Sequence, residues 1–125
     1  MNSHSWEKIV AQNRKKCEKI LGVSKDIPTN PSMFKDLKIE SMIKHHECDI
    51  RDFEKLSHII NLERPDMVFH LAAQAIVSTS YDDPVETITT NAIGTMNLME
   101  ILKAVSWPCS AVIITSDKSY DNVEW

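Results

Sequence analysis

Ser116, Asp117 and Lys118 place a hydroxyl, a carboxyl group and an amine in consecutive positions directly after the apolar run Ala111-Val112-Ile113-Ile114-Thr115. A hydroxyl donates or accepts a hydrogen bond, a carboxyl group carries or releases a proton, and an amine supplies a cation or, once desolvated, a base. Standing alone, Asp117 and Lys118 read most simply as an exposed loop ion pair. Two more clusters stand at the ends of expected strands: Asp49-Ile50, and Ala72-Ala73-Gln74 after Met67-Val68-Phe69-His70-Leu71. Open parallel sheets bind ligands beyond the carboxyl ends of their strands, so three such clusters at strand ends mark a candidate binding site. Pattern alone does not name its chemistry. His70 lies inside an apolar run and reads as a hydrogen-bonded core histidine rather than a base.

The elements that would position these clusters alternate between helix and strand. Trp6, Ile9, Val10, Cys17 and Ile20 recur at helical spacing with Ser5 as a cap, predicting an amphipathic helix over residues 6 to 19. The run 20 to 24 is short and apolar, as a buried strand requires, and Pro28 and Pro31 enforce the loop that follows. A weak segment over 33 to 44 admits a short helix near 37 to 43, before a brief strand over 46 to 50. Asp52 caps a helix with Phe53, Leu56, Ile59 and Ile60 on one face. The next strand, over 67 to 72, is apolar nearly throughout, which suits a parallel strand covered on both faces. Asp83-Pro84-Val85-Glu86 combines a capping carboxylate, a proline at the first helical position and a glutamate that can reach back. The long helix it starts is expected to bury Ile88, Ala92, Met96 and Met99, with Ile93 and Leu102 widening the stripe, and to stop before Trp107-Pro108. A strand over 111 to 116 follows. The sum is an α/β fold with a parallel sheet.

Composition bounds the partners. The 125 residues are 42% hydrophobic and 26% charged, enough for one domain, and the net charge of -4 gives no reason to expect a nucleic acid. The basic run Arg14-Lys15-Lys16 reads as one solvated helix face. Cys17, Cys48 and Cys109 have neither disulfide-framework nor zinc-ligand spacing, so no metal is expected. No run has the length of a membrane span or the apolar core of a signal peptide, and the expectation is a cytoplasmic protein without membrane partners.

Ordered motifs from Pro28 onward resemble CDP-glucose 4,6-dehydratases, NAD-dependent enzymes of the extended short-chain dehydrogenase/reductase type. The residues that carry the resemblance are Pro28-Thr29-Asn30-Pro31-Ser32-Met33-Phe34, Asp49-Ile50-Arg51-Asp52, His70-Leu71-Ala72-Ala73-Gln74-Ala75 and Ser80-Tyr81-Asp82-Asp83-Pro84-Val85-Glu86-Thr87. Asn91 with Gly94-Thr95, the run Thr115-Ser116-Asp117-Lys118-Ser119-Tyr120-Asp121-Asn122 and Glu124-Trp125 continue it. Ser116-Asp117-Lys118 points to the CDP-sugar branch, since dTDP-glucose relatives usually carry Thr-Asp-Glu there.

The resemblance implies a Rossmann-like doubly wound parallel sheet and a nucleotide-sugar lyase that uses NAD and acts on CDP-glucose for lipopolysaccharide synthesis. Asp49 would accept from the adenine amino group and the Ile50 backbone would meet the ring. Leu71, Ala72, Ala73 and Gln74 would lie along the ribose and pyrophosphate, and Asn91 would steady the next strand near the nicotinamide, with plain core hydrogen bonding an equal alternative. Asp117 would protonate the leaving oxygen, Lys118 would act near sugar C5 as base or electrostatic support, and Ser116 would hydrogen-bond the sugar.

The match also departs from the family. Relatives begin with a strand and a turn of the form G-H-x-G-F-K-G, whereas the only glycines here are Gly22 and Gly94. No Tyr has a Lys four positions on, so the family's Tyr-x-x-x-Lys pair is absent. The expectation is an incomplete Rossmann-like domain over 20 to 125 behind a divergent helix over 1 to 19. The first strand with its Gly-rich turn and the C-terminal substrate domain would be missing, and the chain alone would have no turnover. The alternatives are a noncatalytic assembly module for a full-length relative, a homo-oligomer, or a related epimerase or dehydratase.

Overall fold

A computed structural model describes residues 20–26 and 32–116. The chain divides into two compact units, Met1–Glu47 and Cys48–Trp125. The helix expected over residues 6 to 19 and the proline loop at 27–31 lie outside the described residues.

In the first unit, β1 (Leu21–Ser24) pairs in parallel with β2 (Lys44–Glu47), Leu21 opposite Lys44 and Ser24 opposite Glu47. Parallel neighbours need a crossover, and here it is small. Ser32 caps α1 (Met33–Asp36) by accepting from the Lys35 N–H, and a 3-10 turn over Ile39–Ser41 leads into β2. The short helix therefore precedes the 37 to 43 stretch expected to form it, because Lys38 turns left-handed at φ 52° and ends it. β2 likewise sits earlier than the expected strand over 46 to 50. Pairing already begins where the Lys44 N–H donates to the Ile20 carbonyl at 3.0 Å, and the chain turns away at Asp49, whose carbonyl accepts from Asp52 N–H at 3.0 Å.

In the second unit, Asp52 caps α2 (Phe53–Glu63) by accepting from Lys55 N–H at 3.0 Å, and a left-handed Arg64 at φ 46° closes the helix. β3 (Met67–His70) then pairs in parallel with β4 (Ser110–Ile113), Met67 opposite Ser110 and His70 opposite Ile113. Between the two strands run α3 (Val77–Asp82), α4 (Pro84–Ile88), a π-helical segment Thr89–Gly94 and α5 (Thr95–Ala104). Asp83 caps α4 through the Glu86 N–H at 2.9 Å, with Pro84 in the first turn, as its residue types require. Cys48, Leu56, Ile59, Ile60, Leu98 and Ile101 are buried together, and Ile50, Val68, Leu102, Val105 and Trp107 pack against them. Each fully buried aliphatic side chain contributes about 2 kcal/mol. Trp107 closes the far end: its indole N–H donates to the Pro65 carbonyl at 3.0 Å and its ring lies beneath the Arg64 guanidinium. Helices joining parallel strands in two short sheets make this an α/β fold of Rossmann type. Among the described residues no helix is long and apolar enough to cross a membrane.

The long helix buries a different face from the one expected. Ile88, Met96 and Met99 are more than half exposed, at 60%, 57% and 55%, and the buried positions are Gly94, Leu98 and Ile101. The sequence offers two apolar faces. Gly94 decides between them, because a Cβ there would lie 2.5 Å from Ile50 Cδ1 and 2.6 Å from Cγ1. The bare face of the helix turn is where Ile50 fits. β3 alternates in the same way: Val68 and His70 turn toward the packed side, while Met67 and Phe69 are exposed.

Gly94→Ala is expected to lower stability by about 1–2 kcal/mol in urea unfolding, although alanine is the better helix former. Adding Ile50→Ala to the same chain should relieve the overlap, so the double variant is expected to lose less than the sum of the two single changes.

Candidate functional site

Two loops of the second unit carry most of the expected site residues, and one helix holds both. Asp49 and Ile50 lie in the turn before α2. The Asp49 carboxylate is gripped by the residue two positions on: Oδ1 accepts from the Arg51 backbone N–H at 2.9 Å and from Nε at 3.0 Å, and Oδ2 accepts from Nε at 3.1 Å and Nη2 at 2.6 Å. The other guanidinium nitrogen, Nη1, donates to Glu86 Oε2 and more weakly to Thr89 Oγ1 at 3.4 Å. Hydrogen bonds from Arg51, to Asp49 first and to Glu86 second, hold the guanidinium charged and push its pKa up. Asn97 on α5 completes the support, its amide N–H donating to the Ile50 and Arg51 carbonyls at 3.3 and 3.2 Å.

The second loop, residues 71–74, leaves the carboxyl end of β3. Leu71, Ala72 and Ala73 are exposed and Gln74 is half-buried. Asn91 faces the Gln74 backbone: its Oδ1 accepts from the Gln74 N–H at 2.7 Å and its Nδ2 donates to the Gln74 carbonyl at 2.9 Å. The side-chain amide thus satisfies both polar groups of a peptide that has left the sheet. The Gln74 side chain is spent on the loop itself, donating to Thr87 Oγ1 at 2.9 Å and to the Ile76 carbonyl, and accepting from the Ile76 N–H at 2.6 Å. Asn91 lies in the π-helical segment, a form found mostly as single turns and often at functional sites.

His70 lies beneath this loop, 6% exposed, with Nε2 at 2.8 Å from Thr95 Oγ1. The Thr95 hydroxyl spends its proton on the Asn91 carbonyl at 2.7 Å, so it must accept from His70, which fixes the Nε2–H tautomer. Burial alone pushes the His70 pKa below its ordinary 6.5. The histidine thus belongs to the core. Cys48 is also buried, and desolvation raises its thiol pKa away from the reactive range.

Ser116 is exposed beyond the carboxyl end of β4, and the strand itself ends at Ile113, short of the expected Ser116. Asp117 and Lys118 lie outside the described residues. The structure therefore brings together Asp49, Ile50, Gln74 and Asn91 through one helix, with Leu71, Ala72 and Ala73 on the open side of the second loop. Sequence reasoning missed Arg51, Glu86, Thr87, Thr95 and Asn97. Arg51, Glu86, Thr87 and Thr95 all stood in the motifs that carry the resemblance, with no site role assigned to them, and only Asn97 carried no signal. Among the described residues no group of three His, Cys, Asp or Glu side chains could hold a metal ion.

The fold is that of an α/β protein of Rossmann type, and these helix-anchored loops form the candidate site at its strand ends. The family model for GDP-mannose 4,6 dehydratase matches residues 6–124, and the chain belongs to that family, among the NAD-dependent nucleotide-sugar epimerases and dehydratases. The CDP-glucose 4,6-dehydratase of Salmonella typhimurium is 46% identical over 106 residues, which cover 85% of this chain and 30% of that protein. The structure of UDP-glucose 4-epimerase from Thermotoga maritima with UDP-glucose matches at a TM-score of 0.56 and 30% identity, over 75% of this chain and 29% of that one. The Thermus thermophilus UDP-glucose 4-epimerase in complex with NAD matches at 0.50 and 25%, over 66% and 33%. The chain thus spans about a third of the length of these relatives.

A histidine kept neutral by burial makes stability depend on pH. The unfolded chain binds the His70 proton more readily than the folded one, so its contribution is full above pH 6.5 and declines as pH falls below that value. Urea unfolding at pH 7.5 and 5.5 should show the loss, at most about 1.4 kcal/mol per pH unit from this group, and His70→Gln should flatten that part of the slope.

Proposed function

We propose that this chain is the dinucleotide-binding part of a CDP-glucose 4,6-dehydratase, a lyase that converts CDP-glucose to the 4-keto-6-deoxy sugar nucleotide and water. The observation that carries the reading is the 46% identity to the Salmonella enzyme across 85% of the chain. Ser116-Asp117-Lys118 in the order expected of CDP-sugar enzymes supports it. A cytoplasmic location and a role in making sugars for lipopolysaccharide go with it.

The described residues suit NAD at the places where the reading needs it. Asp49 supplies a carboxylate for an adenine amino group, and Ile50 a backbone amide for the ring. Exposed Ala72 and Ala73 let a ribose and pyrophosphate approach the backbone closely. Asn91, by filling the hydrogen-bonding needs of Gln74, keeps that backbone from collapsing onto the helix. NAD, when bound, would take up and return the hydride exchanged with the sugar. Asp117 would hold the proton that the C6 hydroxyl needs to leave as water, which requires a carboxyl group kept protonated by burial or neighbouring negative charge. Lys118 would draw off the C5 proton or stabilise the enolate left behind, and Ser116 would orient the sugar through its hydroxyl.

A second reading, an assembly module, is favoured by exposed apolar surface. Met67, Phe69 and Val112 on the sheet, and Ile88, Met96 and Met99 on the helix, are all exposed. Such a surface suits a homo-oligomer or a longer relative as partner.

The first reading is tested by grafting residues 48–125 into the Salmonella enzyme in place of its matching segment. The graft is expected to bind NAD and dehydrate CDP-glucose, and Asp117→Asn in it should lower kcat by about 100-fold or more with little change in KM. A folded graft that binds NAD and forms no product would leave assembly as the better account.

A further inference from the structure

The Arg51 guanidinium joins the Asp49 carboxylate to the helical stretch that holds the second loop. An aspartate carboxylate turns easily about its last torsion, which is broad and roughly two-fold, so an aspartate on a surface loop does not by itself present an acceptor in a set direction. Here that freedom is removed. Nε and Nη2 of Arg51 fork onto both Asp49 oxygens, at 3.0 and 3.1 Å from Nε and 2.6 Å from Nη2, and the Arg51 N–H holds Oδ1 a third time at 2.9 Å. A planar fork on a planar carboxylate fixes its rotation as well as its position, which a single-point cation cannot do. The far side of the guanidinium is fixed in turn by Glu86 and Thr89, one on each side of the start of the π-helical segment. Both carboxylates are only partly exposed, at 25% and 35%.

We infer that Arg51 is a positioning residue for purine selectivity: it locks the Asp49 carboxylate in the orientation that accepts from the six-position amino group of adenine, and registers that group against the loop held by Asn91. The inference rests on the proposed role of Asp49 in holding NAD. A surface ion pair that merely staples the turn to the helix would change stability when broken, but would not change which purine the site prefers. An oriented carboxylate distinguishes an amino group, which donates, from a keto oxygen, which is repelled. A carboxylate free to rotate can move away from the keto oxygen and discriminates less.

The test titrates the full 125-residue chain with NAD and with nicotinamide hypoxanthine dinucleotide, in which a keto oxygen replaces the six-position amino group, following binding by NMR. The unaltered chain is expected to favour NAD by about tenfold or more. Arg51→Gln should bring that ratio close to one. Arg51→Lys, which keeps the cation and the pull on Glu86 but not the fork, should also reduce it to about threefold or less, and it carries the test if the glutamine variant does not fold. Folded variants that discriminate as well as the unaltered chain would overturn the positioning role and leave the adenine reading standing. An unaltered chain that binds neither dinucleotide, or both equally, would overturn the adenine reading and the positioning role together.

Discussion

Peptide groups that leave a sheet lose their ladder partners, and in the second unit the side chains of one helical stretch take over that role for two loops at once. Asn91 satisfies both polar groups of the Gln74 peptide, and Asn97 bonds the carbonyls of Ile50 and Arg51. Loops built this way keep their small and exposed residues turned outward, since the backbone no longer has to fold back to find partners. The exposed Leu71, Ala72 and Ala73 are a direct result.

The stretch that serves both loops is not a uniform α-helix. Residues 89–94 are wound as a π-helix, with Asn91 inside it and Thr95 at the start of the α-helix that resumes. Thr95 reaches His70 at the end of β3 while Asn91 reaches past the strand to Gln74, so strand and loop are held from one helix face. Gly94 in the last π-helical position brings this face against Ile50, which ties the Asp49 turn to the same body. Two loops distant in sequence thereby keep a fixed spacing, as a ligand contacting both would require.

The nearly continuous apolar run of β3 suits a parallel strand covered on both faces, yet only one face is covered among the described residues. In β3 the side turned to the helices is filled, while Met67 and Phe69 on the other side stand exposed. The exposed Ile88, Met96 and Met99 make a second uncovered strip on the helix.

Much of this was legible in the residues themselves. The caps at Asp52 and Asp83, Pro84 in the first helical turn, the burial of Leu56, Ile59 and Ile60 on α2, though not of the exposed Phe53, and the alternation of helix with strand all follow from local rules, which act over a few residues and leave marks in sequence. Asp49-Ile50, residues 71 to 74 and Asn91 were singled out by motif resemblance, which tied Asn91 to the following strand, whereas its side chain bonds the Gln74 backbone 17 positions earlier. Three things were settled only by tertiary contact. Burial of Leu98 and Ile101 rather than Met96 and Met99 turned on a close approach at Gly94, because a helix with two apolar faces carries no local signal for which one meets the core. The short extent of β2 depended on where β1 could pair with it. The grip of Arg51 on Asp49 and Glu86 needed two segments 35 residues apart to meet, and charge pairing across such a separation leaves no periodic trace in the chain.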